Sequence, residues 1–331
     1  MTHACREHLE AAVASIALDF SQEPCAVILS GGVDTCAAMA AVSAVNAANN
    51  QKVPKLEVKA AMTVFASPTA TDRKYAPVVA QRHGLEHHQT DISLEELLGM
   101  LPFCVRVLRT FDGMQLRNSM VVALALHKLK ALGYKLAITG DGSDELLGGY
   151  SFTWGGENDE AGWKAKRDVM AHSMTYTCPA MAAELGMCVR SPFLEHTFLQ
   201  WAIELEPDTS RQMHITGKVC LREAYPESFG AWRRKDPIEV GSGSTEMGKY
   251  IKEQISREEF ESERERVAAE DHIQLVDEEH LYNYRVFKSV FPSGLGEKRG
   301  MKAKYPCNSC GYDLPSSTEL FCYVCGKYPA Q

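Results

Sequence analysis

The 331-residue sequence contains no apolar run long enough to span a bilayer, and its first residues lack the charged and apolar regions of a signal peptide. We therefore expect a cytoplasmic protein with no membrane partner. An excess of basic residues is also missing, because 35 Lys and Arg stand against 43 Asp and Glu and leave a formal net charge of -8. This balance argues against nucleic-acid binding through a whole basic face, although it allows a local basic patch.

Cysteine, in contrast, is frequent, with 11 in the chain. Without a secretion signal, this number favours reduced thiols and a metal site over a disulfide framework. The length allows one large domain with an appendage, or two domains.

Residues 30–35, Ser-Gly-Gly-Val-Asp-Thr, form the segment around which the chain is organised. The short apolar run 25–29 before it predicts a buried parallel strand, and the Ala-rich run 36–46 after it predicts a packed helix. Two glycines allow a sharp bend, and the unpaired amides and dipole of a helix N-terminus favour phosphate. A Walker loop is excluded because no lysine follows. The residues that would bind the anion are Ser30, Gly31, Gly32 and Thr35, and Asp34 would hold Mg²⁺ against a polyphosphate.

Strand-like and helical segments alternate along the first half of the chain. Strands are predicted at 58–65, 86–90 and 135–139, and helices at 6–20, 72–83 and 118–132. This order predicts an α/β fold, a parallel sheet with helices on both faces. Ligands of such sheets bind at the carboxyl ends of the strands.

A second glycine- and acid-rich segment, residues 139–150, directly follows the strand predicted at 135–139. Gly140 and Gly142 would let the chain pass close to a nucleotide. Asp144 would complete a Mg²⁺ site with Asp34, since Mg²⁺ commonly uses one or two carboxylates together with phosphate oxygens.

These segments resemble a known family. The loop at 30–35 is similar to the S-G-G-x-D-S loop of PP-loop ATP pyrophosphatases, with Thr in place of the last Ser. The segment 139–150 resembles the G-[DE]-G-x-D-E-x-x-x-G-Y motif in the synthetase domain of the asparagine synthetase family. Residues 116–119, 189–195, 217–223 and 232–235 match further pieces of that domain in the same order. The similarity covers roughly residues 6–250.

The resemblance implies ATP-dependent activation of a small-molecule carboxylate, with release of pyrophosphate, followed by attack of an amine or ammonia to form an amide. Lys235 would neutralise charge in the transition state, and Asp141 would accept a proton from the amine. Asp34 and Asp144 would hold Mg²⁺. The remaining ATP- or pyrophosphate-binding residues implied by the resemblance are Leu29, Val64, Thr139, Gly140 and Arg117.

The sequence also departs from this family. We expect no N-terminal glutaminase domain of the family's kind, because Thr2 stands where that domain has its cysteine after Met1. Glu195 replaces the family's aspartate, and residues 236–243 differ. We therefore expect no glutamine hydrolysis, with nitrogen coming from ammonia, a separate ammonia donor or an amine substrate. The identity of both substrates stays open, as does an alternative: a PP-loop enzyme that modifies or thiolates RNA or another macromolecule.

The C-terminal segment contains two Cys-x2-Cys-Gly knuckles. Cys307, Cys310, Cys322 and Cys325 are predicted to bind one Zn²⁺ in a closed structural site, with an iron centre or a redox dithiol pair as the competing interpretation. We expect a synthetase-like domain at 1–291, whose charged end at 251–291 is a solvated helix, a linker at 292–304 and a zinc ribbon at 305–331. The ribbon is expected to dock a protein or other macromolecular substrate.

Overall fold

The structure is a computed structural model that describes residues 2–48, 53–150, 160–173, 175–205, 217–296 and 299–331. Two residues of the predicted linker, 297 and 298, lie outside the described residues. The chain divides into two compact units. The first comprises Met1–Phe65, Thr69–Thr90 and Ala125–Ser242, and the second Ala66–Pro68, Asp91–Leu124 and Gly243–Gln331.

The first unit is built on a five-stranded sheet, whose strands are β1 (Cys25–Ile28), β2 (Val58–Phe65), β3 (Glu86–Asp91), β4 (Leu136–Ile138) and β5 (Cys188–Arg190). Their order in the sheet is β3-β2-β1-β4-β5. Strand β1 pairs in parallel with both β2 and β4, and β4 pairs in parallel with β5. The predicted α/β fold with a parallel sheet is confirmed.

Helices cover this sheet and bury its apolar residues. In α1 (Thr2–Phe20), Leu9, Val13 and Ile16 lie on one face and are fully buried, and Phe20 is partly buried. Helix α2 (Val33–Ala47) packs against α1 in the same core cluster. The other helices of the unit are α3 (Ala76–Arg82), α7 (Ser143–Leu147), α8 (Glu160–Ser173), α9 (Thr177–Glu184), α10 (His196–Glu204), α11 (Val219–Ala224) and α12 (Ile238–Ser242), with 3₁₀ turns at Thr71–Lys74 and Pro192–Leu194.

The second unit contains helices and the four-cysteine segment. Phe111 forms the centre of its aromatic core, with ring centroids 5.0 Å from His280 and 5.1 Å from Phe287. Its helices are α4 (Leu94–Leu98), α5 (Leu101–Leu108), most of α6 (Gly113–Ala131), α13 (Met247–Lys252), α14 (Arg257–Glu270) and α15 (Glu278–Val290), with a 3₁₀ turn at Gly300–Lys302.

The predicted linker lies inside this second unit. The predicted domain boundaries stay a prediction. The charged helix expected at 251–291 is two helices, α14 and α15. Ser256 caps the first and Asp277 caps the second, each accepting a hydrogen bond from a backbone N–H.

Other element bounds also differ from the prediction. The helix expected at 72–83 is a 3₁₀ turn followed by α3, because Pro77 is placed in the first turn of α3. Helix α6 begins five residues before the expected start. Asp112 accepts hydrogen bonds from the N–H groups of Met114 and Gln115 and so fixes that start. Strand β5 was not predicted. Among the described residues, no helix combines the length and the apolar character needed to cross a bilayer.

Candidate active site and candidate metal centre

The loop at 30–35 connects β1 to α2, as the sequence predicted. The Ser30 hydroxyl accepts a hydrogen bond from the Gly32 N–H at 3.2 Å and lies 3.4 Å from Thr35 Oγ1. Gly31 adopts φ +70°, and a Cβ there would lie 2.5 Å from the Cβ of Tyr75. Only glycine fits this position, because it tolerates the left-handed conformation and leaves room for the neighbouring segment.

The same loop opens the 15-residue helix α2. Its N-cap is Gly32, which has no side chain to accept hydrogen bonds from the first turn. The first N–H groups of a helix have no partner within the helix, and the helix dipole favours an anion beside them. The arrangement is therefore suited to a phosphate group, and phosphate binding by this loop stays a prediction.

Asp34, in the first turn of α2, lies close to the carboxylate of Asp144. Both carboxylates contact the ammonium of Lys218, whose Nζ lies 2.6 Å from Asp34 Oδ1 and 2.6 Å from Asp144 Oδ1. Ser143 donates a hydrogen bond to Asp34 Oδ1 at 2.7 Å. The Lys218 side chain is fully buried, so a low-dielectric environment surrounds the group. The structure thus brings together the two carboxylates predicted to share a cation.

Lys235 contacts the second carboxylate oxygen of Asp144. Its Nζ donates to Asp144 Oδ2 at 2.7 Å, so Asp144 contacts two ammonium groups. Burial would raise the pKa of Asp144, but Lys218 and Lys235 outweigh burial and hold this pKa at about 2. Burial lowers the pKa of Lys235, whereas Asp144 and Asp34 raise it, and the net change is upward. Both groups are therefore charged at neutral pH.

Asp141 and Gly140 lie beside this cluster at the end of β4. Asp141 accepts a hydrogen bond from the Thr139 hydroxyl at 3.0 Å, and burial followed by the charges of Asp34 and Asp144 raises its pKa. A raised pKa makes a carboxylate a better proton acceptor. A Cβ at Gly140 would lie 2.8 Å from the Cβ of Asp34, so the two loops pack without space for a side chain.

Of the remaining predicted nucleotide-binding residues, Leu29 and Val64 belong to the first unit and Arg117 to the second. Leu29 and Val64 are almost fully buried at the carboxyl ends of β1 and β2. Arg117 belongs to the second unit, where its NH1 donates to Glu279 Oε1 at 2.5 Å. The roles predicted for these residues and for the acid, lysine and loop residues stay predictions.

Lys218 was not predicted as a site residue. It belongs to the segment 217–223, which was matched to the family without a role for any residue. Two buried arginines were missed as well. Arg222 donates to the carbonyl oxygens of Gly217, Ala231 and Arg233, and Arg233 donates to the carbonyl oxygen of Ser30. Lysine and arginine at these positions give no periodic signal, so only their distant partners reveal what they do.

The four C-terminal cysteines, Cys307, Cys310, Cys322 and Cys325, form one cluster. Their sulfur atoms all lie within 4.8 Å of one another, and the four side chains are buried. Cys307 Sγ is 3.8 Å from Cys325 Sγ, and Cys310 Sγ is 3.6 Å from Cys322 Sγ. Four sulfurs placed tetrahedrally at about 2.3 Å from one Zn²⁺ are about 3.8 Å apart. The group is therefore able to hold zinc.

The segment that carries this cluster is hydrogen-bonded to residues just before α6. The carbonyl oxygen of Val324, between two of the cysteines, accepts hydrogen bonds from the Phe111 N–H at 2.8 Å and from the Thr110 hydroxyl at 3.1 Å. Ser309, in the other knuckle, accepts at its carbonyl oxygen a hydrogen bond from the Gln274 N–H at 2.9 Å. The knuckles thus pack against the helices of their own unit.

Comparison with known proteins identifies a family whose model matches part of this chain. The family model described as Asparagine synthase matches residues 4–174. Asparagine synthetase B [glutamine-hydrolyzing] of Escherichia coli (strain K12) is 29% identical over 305 residues, which cover 87% of this chain and 53% of that protein. A probable asparagine synthetase [glutamine-hydrolyzing] of Dictyostelium discoideum is 28% identical over 315 residues, covering 87% of this chain and 55% of that protein. The chain thus spans about half the length of the curated relatives it matches.

Among solved structures, the NMN synthetase from Francisella tularensis is similar over 86% of this chain and 94% of its own. The sequence identity is 13% and the TM-score 0.33.

Proposed function

Because the chain belongs to the asparagine synthase family, we propose that it is an ATP-dependent ligase, which joins a carboxylate to an amine or ammonia and releases AMP and pyrophosphate. The observation that carries this proposal is the cluster of Asp34, Asp144, Lys218 and Lys235 beside the loop at 30–35. The two carboxylates have the charge needed to bind a metal ion, and the two ammonium groups and the N-terminus of α2 have the charge needed to bind phosphate. Together they complement a metal–triphosphate complex.

In the first step, a carboxylate oxygen of the substrate attacks the α-phosphorus of ATP. The bond from this phosphorus to the bridging oxygen breaks, and pyrophosphate leaves with the electron pair of that bond. The loop at 30–35 would hold the pyrophosphate. Lys235 would stabilise the negative charge that develops on the phosphoryl oxygens, since its raised pKa keeps it protonated.

In the second step, the amine nitrogen attacks the acyl carbon of the adenylate, and AMP leaves with the electron pair of the acyl–oxygen bond. The nitrogen loses a proton, for which Asp141 is the proposed acceptor because its pKa is raised.

The donor set of this cluster also fits a divalent cation. Asp34 and Asp144 converge on one Lys218 nitrogen, so their oxygens are placed to contact a shared positive charge. We propose that they hold Mg²⁺ with ATP, where the ion would neutralise phosphate charge. The four cysteines are proposed to hold Zn²⁺ in a structural role, since a closed site with four thiolate ligands leaves no open position for chemistry.

Analysis of the products formed from ATP labelled at the α-phosphate tests this function. We expect AMP and pyrophosphate in the presence of the right carboxylate and amine, whereas ADP and inorganic phosphate would contradict the proposal. A panel of free amino acids and other small carboxylates, run beside bulk RNA, separates a small-molecule ligase from a macromolecule-modifying enzyme.

Two substitutions test the site itself. Asp34→Asn and Asp144→Asn each remove one proposed Mg²⁺ carboxylate, so each is expected to abolish turnover. Glu57→Gln is the matched control, since this carboxylate is exposed and contacts Lys59 at the surface. Near-normal turnover in either aspartate variant would refute the metal assignment.

A further inference from the structure

Resting on the proposed function, we infer that Arg233 is a positioning residue. It fixes the orientation of the phosphate-binding loop at 30–35 and couples this loop to Lys235. Four observations within the first unit support this role: its hydrogen bond to the loop, its anchoring by two carboxylates, its stacking on Tyr75 and its place in the chain.

Arg233 contacts the loop directly. Its NH1 donates to the carbonyl oxygen of Ser30 at 3.1 Å. In a trans peptide the carbonyl and the following N–H point in opposite directions. A guanidinium that holds the Ser30 carbonyl on one side therefore turns the Gly31 N–H to the other side. The neighbouring carbonyl is confined as well, because a Cβ at Gly230 would lie 2.8 Å from the Gly31 carbonyl oxygen.

The second terminal nitrogen of the Arg233 guanidinium, NH2, is held by two carboxylates and a hydroxyl. Its NH2 lies 2.7 Å from Asp72 Oδ1 and 2.9 Å from Asp236 Oδ2, and it donates to Thr71 Oγ1 at 2.9 Å. The guanidinium carbon lies 4.1 Å from the ring centroid of Tyr75. The Arg233 side chain is only 5% exposed. A planar fork with one nitrogen on the loop and the other on two carboxylates has little freedom to move.

The position of Arg233 in the chain links the loop to the proposed catalytic lysine. Lys235 is two residues further along, and Asp236, which anchors Arg233, is the next residue. A second arginine holds the segment that contains Arg233. The NH1 of Arg222 donates to the carbonyl oxygens of Ala231 and Arg233 at 2.6 and 2.8 Å. Loop and lysine are thus parts of one hydrogen-bonded assembly.

Arg233→Lys tests the role, because one ammonium keeps the charge but does not reach both the Ser30 carbonyl and the two carboxylates. Arg234→Lys is the matched control: the same change on an adjacent, exposed side chain. We expect Arg233→Lys to weaken Mg²⁺–ATP and pyrophosphate binding, measured by calorimetry, at least tenfold. The loop binds the ground state and the transition state alike, so the KM for ATP should rise by more than kcat falls.

A second readout needs no nucleotide. Amide hydrogen exchange at residues 31–35 should be faster in Arg233→Lys than in wild type and unchanged in Arg234→Lys. If Arg233→Lys does not fold, Asp72→Asn removes one anchor and should weaken ATP binding in the same direction by a smaller factor.

Three outcomes are separable. Arg233→Lys that binds ATP within twofold of wild type, with unchanged exchange in the loop, would overturn the positioning role alone. The same result for Asp72→Asn, where Arg233→Lys does not fold, would also overturn it. Wild-type protein that binds no Mg²⁺–ATP would instead refute the proposed function, even if exchange in the loop responds to Arg233.

Discussion

Replacing Lys218 by methionine removes the cation that Asp34 and Asp144 share while keeping a long apolar stem. The Lys218 side chain is fully buried, and the two carboxylate side chains are only 16% and 10% exposed. Removing one partner of a buried ion pair typically costs about 3–5 kcal/mol, because the remaining charge stays buried. We expect a loss of stability in that range, moderated by Lys235, which still contacts Asp144.

Added Mg²⁺ should then restore much of this loss. A ligand that binds only the folded state at 100 times its Kd stabilises by about 2.7 kcal/mol. In Lys218→Met the two carboxylates have lost their shared ammonium, so millimolar Mg²⁺ without nucleotide should stabilise the variant. In wild type the ion must compete with Lys218, and we expect a much smaller effect.

Urea unfolding with and without MgCl₂, at ionic strength matched with NaCl, measures both effects. Chelators are left out because they would remove zinc. Lys59→Met is the control, since Lys59 is exposed and contacts only the surface carboxylate of Glu57 among the described ion pairs. If Lys218→Met is as stable as wild type, or if Mg²⁺ stabilises both proteins equally, the shared-cation reasoning is wrong.

Three further predictions follow from other contacts. Gly140→Ala would place a Cβ 2.8 Å from the Cβ of Asp34, so it should lower kcat/KM for ATP at least tenfold, measured by steady-state pyrophosphate release. Burial raises the pKa of Asp72 from 3.8 to about 6, so folding favours the protonated carboxyl. The stability that this group contributes is therefore complete below pH 4 and is lost as the pH rises through 6. Asp72→Asn should remove that fall of about 3 kcal/mol in the free energy of unfolding between pH 4 and 7. Elemental analysis should find one zinc per chain. Removing the zinc should speed amide exchange at residues 110–118, because the Val324 carbonyl would lose its fixed position, and unchanged exchange would contradict this coupling.

The phosphate loop and the acidic motif could be predicted because both follow strands. Once the sequence indicated parallel strands before residues 30 and 139, their carboxyl ends had to lie at the same edge of the sheet. Asp34 and Asp144 were therefore expected to meet, and the structure brings both to Lys218.

Lys218 itself could not be predicted in this way. It lies 184 residues from Asp34 in sequence, and neither helical nor strand periodicity relates the two positions. Strand β5 has three residues, which is too short for an alternating pattern to develop. The packing of Val324 on Phe111 was equally hidden, because it joins backbone atoms of two loops and no side-chain pattern records it.

Among the described residues, Arg222 donates three hydrogen bonds to main-chain carbonyls, those of Gly217, Ala231 and Arg233. Every residue type has this carbonyl, so an exchange of the side chain at 231 leaves the acceptor in place, whereas loss of Arg222 removes three bonds at once. The main-chain positions of residues 231 and 233 are thus held by a residue outside the stretch 226–232. Exchange of the exposed Trp232 side chain should therefore leave these positions unchanged as long as Arg222 is kept and the glycine at 230 is retained.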